Sequence, residues 1–316
     1  MRFAILGLSI TSSLANGHAS TYRALVNELA RRGHDVVFLE RNLPLYAQRR
    51  DIPRSRFGRV AIYERLSDLE LGYAEDVKHA DCVIIGSDIP EVSGVANWVA
   101  SHTNGLTAFY DLEAWSLRWA RTGEETAFYY GVDPLTYFPK TEVFHWDLAS
   151  VERDEIVQED LTENLLFGSA RLWPEGRFAV AGQHFPSKAD WPQNVERSPY
   201  PEWNKRRDFY NSQCYMLHCG AIPSSCLFEA AACATPVVAF PSSEIERQFK
   251  PGVEIYFAET AEDVVRIVRD TPYLKRGAVG WAARQRVLRE HVISHRAQIL
   301  EKSVSDLLEG HKVAAD

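Results

Sequence analysis

The sequence predicts an α/β protein of two Rossmann-like domains, each a parallel sheet with helices on both faces. Three observations predict it. Short apolar runs alternate with helix-period segments through the first 110 residues, the pattern of βαβ units. A second alternation begins after GVDPLTYFP at 131–139, whose two prolines and one glycine read as a linker. The chain has 316 residues, 46% of them hydrophobic, enough for two cores of ordinary size. The expected division is 1–135, 136–290 and a C-terminal helix over 291–316 that packs back toward the first domain. Ligands bind such sheets outside the carboxyl ends of the strands, so function is expected in loops facing an interdomain cleft.

Residues 3–6 read as a buried first strand. Over 19–32, Tyr22, Leu25, Val26, Leu29 and Ala30 recur at helical spacing, and Gly33 stands where a glycine ends a helix. Residues 35–39 form a second strand and 60–63 a weaker one, followed by a helix over 68–79. The run CVII at 82–85 is apolar throughout, as in a strand buried on both faces. A helix over 92–100 and a strand over 106–110 complete the first domain. The second is expected to hold a helix over 161–172, strands at 178–181, 215–217 and 237–240, and helices at 225–233 and 261–269. Residues 186–204, rich in Pro, Asn and Trp, read mostly as loop, and 276–308 as helix with a bend near Ile293.

A net charge of −8 lacks the basic footprint of a nucleic-acid binder, so no nucleic-acid partner is expected. No run reaches the ~18 apolar residues of a membrane span. MRFAILGLSI leads into a polar loop and an amphipathic helix, with no small-residue cleavage site, so it reads as a strand and the protein as soluble and cytoplasmic. The five cysteines include no CxxC pair, and Cys226 and Cys233 suit one buried helix face. His291 and His295 have zinc spacing on a helix, but Val292 stands where HExxH needs its glutamate. No metal is expected.

The run PSSCLFEAAACATPVVAF at 223–240, with EIERQFKPGVEIYFAETAEDV and RQRVLREHVISHRAQIL after it, resembles the C-terminal half of group-1 glycosyltransferases of GT-B fold. NGHASTYRALVNELARRGHDVVFLERNLPLYAQRRDIP, TAFYDLE, RFAVAGQHFP and WPQNVER are similar to the spore-maturation CgeB-like branch of that superfamily. The resemblance implies two Rossmann-like domains, the C-terminal one holding a nucleoside-diphosphate sugar (UDP-, dTDP- or GDP-linked), the N-terminal one a hydroxyl acceptor. It implies no tightly bound cofactor and no essential metal.

Within that resemblance, Ser224 and Ser225 can cap a helix whose first N–H groups suit a diphosphate. Glu229 one turn in would accept hydrogen bonds from the ribose diol, a task for an acceptor-only group. Read without the resemblance, Glu229 is a first-turn carboxylate that favours the helix dipole. His218, ending a strand, and Thr235, before Pro236, join the donor side. On the acceptor side stand Gly17 and Arg41. If transfer inverts, His18, after the first strand, is positioned as a base, and Asp111, at the end of a later strand, as the carboxylate that orients it; if transfer retains, His18 would instead bind sugar or acceptor.

The sequence departs from the family pattern where ligands would sit. Cys226 replaces an arginine, Phe240 replaces an aspartate, and no glycine-rich loop follows His145-Trp146-Asp147-Leu148. The leading function is transfer of a sugar from a nucleoside diphosphate to a hydroxyl. A scaffold or binding protein derived from a transferase, and a GT-B nucleotide-sugar epimerase, stand beside it.

Overall fold

The computed structural model describes residues 1–13, 18–48, 50–52, 58–112, 114–141, 143–151, 159–182 and 191–315. The chain forms two compact units, Met1–Gly131 with Ile293–Asp316, and Val132–Val292.

Unit 1 runs β1 (Arg2–Gly7), α1 (Ala19–Arg31), β2 (Asp35–Arg41), α2 (Pro44–Ala47), β3 (Arg59–Tyr63), α3 (Leu66–Lys78), β4 (Cys82–Gly86), α4 (Val92–His102), β5 (Leu106–Asp111), β6 (Ser116–Trp119) and β7 (Glu125–Ala127). The sheet order is β3-β2-β1-β4-β5-β6-β7, parallel through β5. β4 is buried at every position and β1 at all but its first, which is why both read as unbroken apolar runs. The antiparallel β6–β7 hairpin is not foreseen by the sequence analysis. Its turn is held by Gly123 at φ +69°, a left-handed conformation that glycine adopts without strain.

Unit 2 runs β8 (Trp146–Val151), α5 (Glu159–Leu161), a π-helical stretch (Thr162–Phe167), α6 (Gly168–Leu172), β9 (Phe178–Gly182), β10 (Val195–Pro199), a short 3₁₀ turn, and α7 (Arg206–Asn211). It continues with β11 (Gln213–His218), α8 (Ser225–Ala232), β12 (Val237–Ala239), α9 (Ser243–Gln248), β13 (Tyr256–Phe257), α10 (Ala261–Asp270) and α11 (Tyr273–Glu290). All six strands are parallel, in the order β10-β9-β8-β11-β12-β13. The expected loop over 186–204 therefore contains a strand and leads into a helix. β10 is missed because it is an edge strand with mostly exposed side chains, which leaves no apolar pattern to read.

The expected bend near Ile293 is a break. α11 ends at Glu290 and α12 (Ile293–Ala315) begins after His291 and Val292, with the His291 carbonyl accepting from the Val132 amide at 2.8 Å. α12 belongs to unit 1, where Ile293, Ala297, Leu300 and Val304 enter the core with Tyr22, Leu25 and Leu29 of α1. Gly131 permits the approach, since a Cβ there would sit 2.8 Å from the Ile293 backbone.

Glu301 of α12 takes two hydrogen bonds from Arg32 and lies against His34 Nε2, all at 2.6 Å. The Arg32 hydrogen bonds, ahead of the opposing burial, hold its pKa down at about 2. A depressed carboxylate pKa stabilises the fold above its unfolded value and loses that contribution as pH falls through the folded one. Amides of α12 are therefore expected to lose hydrogen-exchange protection between about pH 4.5 and 2. Glu301→Gln should show the weaker protection already at neutral pH. Equal protection in both proteins would refute the anchor.

Candidate functional site

Each sheet has a topological switch point, where strand order turns back on itself and opens a crevice at the carboxyl edge. In unit 1 it lies between β1 and β4, in unit 2 between β8 and β11.

At the unit 1 edge, the loop after β1 is tied down by carboxylates. Glu40, fully buried at the end of β2, accepts from the Ile10 amide at 2.8 Å, the Thr11 amide at 2.9 Å and the Thr11 hydroxyl at 2.6 Å. Asp51 accepts from the Ser13 hydroxyl at 2.6 Å and from Arg23 at 2.5 Å, and Arg23 also donates to the Ile10 carbonyl. Burial would raise the Asp51 pKa, but the Arg23 hydrogen bond and charge outweigh it and hold it below the ordinary range. Successive loop amides of this kind form anion-binding nests. Here Glu40 and Asp51 are the anions, so the loop is set by the protein's own carboxylates.

Asp88 stands two residues past β4, at the same carboxyl edge. Its Oδ1 accepts from the Tyr22 hydroxyl at 2.9 Å, and its Oδ2 is buried with no hydrogen-bond partner among the described residues. Burial pushes its pKa up to about 6, against the lowering effects of Tyr22 and of the Asp88 and Leu8 amides. Gly7 and Gly86, ending β1 and β4, make room for this pair. A Cβ on Gly86 would collide with the Tyr22 hydroxyl, and one on Gly7 would lie 2.8 Å from the Tyr22 ring.

His18 and Asp111 lie on this edge too. His18 is partly buried at the N-cap of α1, its carbonyl accepting from the Tyr22 amide at 3.0 Å, without a side-chain cap bond. Asp111 ends β5, accepts from the Ala114 amide at 2.9 Å, and is separated from β1 by β4. Arg41 ends β2 and is ion-paired with Glu91. Gly17 lies outside the described residues.

In unit 2, His218 ends β11 at the switch point, buried, with Nε2 3.1 Å from the Ile222 carbonyl. Six residues later Ser224 holds the N-cap position of α8 in extended conformation. Its side chain makes no cap bond, contrary to the expected role; the Ser224 carbonyl alone accepts from the Leu227 amide, at 3.1 Å. Ser225 begins the helix, 2% exposed.

Glu229 is wholly buried, with Oε2 accepting from the Tyr210 hydroxyl at 2.9 Å and Oε1 3.9 Å from the Arg206 guanidinium. Burial raises the Tyr137 pKa well above its ordinary value, and the Glu229 charge adds to that shift. Thr235 precedes β12 and so lies at the amino edge, away from His218, where its hydroxyl donates to the Tyr210 carbonyl at 2.7 Å. The structure thus brings His218, Ser224 and Ser225 to one edge and leaves Thr235 at the other.

The sequence analysis passed over Asp88 and Arg206. Asp88 had a signal, an acidic residue two positions after the buried run CVIIG, in GSDIP. Arg206 had none, because nothing local marks it as buried.

A family model described as Glycosyl transferase-like matches residues 158–302. No curated protein sequence matches the chain. Among solved structures, sucrose-phosphate synthase from Thermosynechococcus elongatus aligns over 98% of this chain and 100% of its own, with a TM-score of 0.70 at 13% identity. HepE of Anabaena, in complex with UDP and glucose, aligns over 96% and 99%, with a TM-score of 0.69 at 11% identity. AviGT4, a glycosyltransferase involved in avilamycin A biosynthesis, aligns over 98% of both chains, with a TM-score of 0.66 at 16% identity. The fold is thereby that of GT-B glycosyltransferases, two parallel-sheet α/β domains. Among the described residues no helix is long and apolar enough to cross a membrane, and no cluster of His, Cys, Asp and Glu could hold a metal ion.

Proposed function

We propose that the chain is a nucleotide-sugar-dependent glycosyltransferase of the CgeB-like branch, acting in the cytoplasm on a hydroxyl acceptor. One observation carries the reading: His218 and the start of α8 converge at the switch point of unit 2, inside the segment that matches the glycosyltransferase model. The first amides of α8 have no partner within the helix and carry its positive end, which suits a diphosphate. Ser224, Ser225 and His218 surround that end. Glu229 is the ribose acceptor in this reading, with its bond from Tyr210 exchanged for bonds from the diol. HepE supports a UDP-linked donor first. Unit 1 takes the acceptor, with His18 and Asp111 at its carboxyl edge.

The test is thermal shift with UDP, dTDP and GDP at millimolar concentration, since a ligand well above its Kd raises the melting point. Glu229→Gln, which preserves shape, should weaken nucleotide affinity by about 1–3 kcal/mol through loss of charged hydrogen bonds. Unchanged affinity would remove Glu229 from the donor site. The scaffold reading is favoured by one observation, the commitment of the Glu229 carboxylate to Tyr210 and Arg206. No shift with any of the three nucleotides would decide for it.

A further inference from the structure

We propose that the exposed face of α11, with Val143 and Phe144 beside it, docks unit 2 on the surface of an anionic lipid membrane. The inference goes beyond the transferase reading and does not depend on it.

α11 presents apolar side chains to solvent. Leu274, Ala278, Trp281 and Gln285 recur at i, i+4, i+7 and i+11, so they share one face, and all four are exposed. Leu274 is 81% exposed and Trp281 53%, and Tyr273, which begins the helix, is 72% exposed. A surface helix ordinarily turns charged and polar side chains outward. This one is held so that it cannot roll the stripe inward. Val279, Ala283 and Val287 are buried on its other side, Val279 within the core of unit 2. Gly280 lies so close to the Ala234 carbonyl that a Cβ there would collide with it, and Arg284 donates to the Ala232 carbonyl.

The patch continues onto the segment before β8. Val143 is 74% exposed, and Phe144 is exposed beside it. The Arg276 guanidinium stands 5.1 Å from the Phe144 ring centre and 5.1 Å from that of Tyr273, which joins the segment to the helix. Arg177 donates to the Phe144 carbonyl at 3.1 Å and pairs with Asp147 at 3.2 Å. Apolar tips are thus interleaved with Arg177, Arg276 and the exposed Lys275. α11 carries five basic residues and one acidic, in a chain whose net charge is −8.

That local charge decides the occupant. Leucine, tryptophan and tyrosine tips with Lys and Arg beside them suit the boundary between headgroups and acyl chains. Anionic headgroups complement the basic side chains, which act within a Debye length of the surface. A second copy fits less well. Two-fold pairing sets a patch against itself, and here that brings Arg177, Lys275 and Arg276 toward their own counterparts. The tips also project from a helix, where a protein partner would need a groove shaped to them. A fluid boundary needs none.

The experiment floats the full chain with vesicles of phosphatidylcholine alone, and with vesicles of phosphatidylcholine and phosphatidylglycerol in equal parts, at about 0.1 and 0.5 M salt. The chain should float with the anionic vesicles, at least ~10-fold less with phosphatidylcholine alone, and lose the association at the higher salt. The double variant Leu274→Ser with Trp281→Ser should lower partitioning at least ~30-fold. Lys275→Glu should lower it about 10-fold. Leu71→Ser, at an exposed leucine of α3, should leave it unchanged. These side chains are exposed, so the urea midpoints should stay at the native value. If the double variant unfolds more readily, Lys275→Glu decides alone.

A native chain that does not float with anionic vesicles would overturn the proposal. So would equal flotation with both vesicle types, or partitioning that Lys275→Glu leaves unchanged. A native dimer in sedimentation equilibrium that the double variant turns into a monomer would give the face to a second copy, and would overturn it as well.

Discussion

Replacing Glu229 by alanine is expected to lower folding stability by about 3–5 kcal/mol, the usual consequence of stranding one member of a buried ion pair. The stranded member is Arg206, 1% exposed, 3.9 Å from Glu229 and packed over the Tyr200 ring at 4.8 Å. Tyr210 would also lose its acceptor. Apolar replacement of both ions should restore most of the loss, because desolvating the pair offsets much of its attraction. Urea unfolding of Glu229→Ala, Arg206→Met and the double variant Glu229→Leu with Arg206→Met measures this. A midpoint for Glu229→Ala equal to native would mean the pair contributes nothing. So would a double variant whose loss equals the sum of the single ones.

Glu40→Ala is expected to cost about 2–5 kcal/mol, because two buried amides and one hydroxyl lose their acceptor together. The effect should be confined at first to the loop after β1. Hydrogen exchange at Ile10 and Thr11 should rise by orders of magnitude while the β4 and β5 amides stay protected. Uniform loss across the sheet would show that Glu40 supports the whole of unit 1 and not this loop. Since the loop borders Asp88 through Leu8, the variant also asks whether the carboxylate anchors set the geometry of the carboxyl edge of unit 1.

The strands and helices that the sequence made legible are those with a buried face. β1, β4 and α1 read correctly because their apolar positions follow the period of the element. β10 and β7 escaped because edge strands with exposed side chains carry no such period. The candidate residues were legible only as positions along a topology. His18, Asp111, His218, Ser224 and Ser225 all stand at carboxyl edges, as strand-end logic places them. Their partners were not legible. Glu229 read either as a ribose acceptor or as a first-turn carboxylate; it stands past the first turn of α8, in a cluster with Tyr210 and Arg206.

By itself the sequence determined the architecture: two alternating α/β regions, most of their buried strands though not the central β8, and a helix start rich in serine before FEA. Those features depend on spacing within a few turns of chain, and hydrophobic period records spacing faithfully. Only the tertiary structure decided which acidic side chains are committed and which has an oxygen to spare. Glu40 meets Thr11 across 29 residues, Glu229 meets Tyr210 across 19, and Asp88 meets Tyr22 across 66. A carboxylate's chemistry is set by the charges and donors within a few ångströms of it, and folding draws those neighbours from parts of the chain that no local pattern connects.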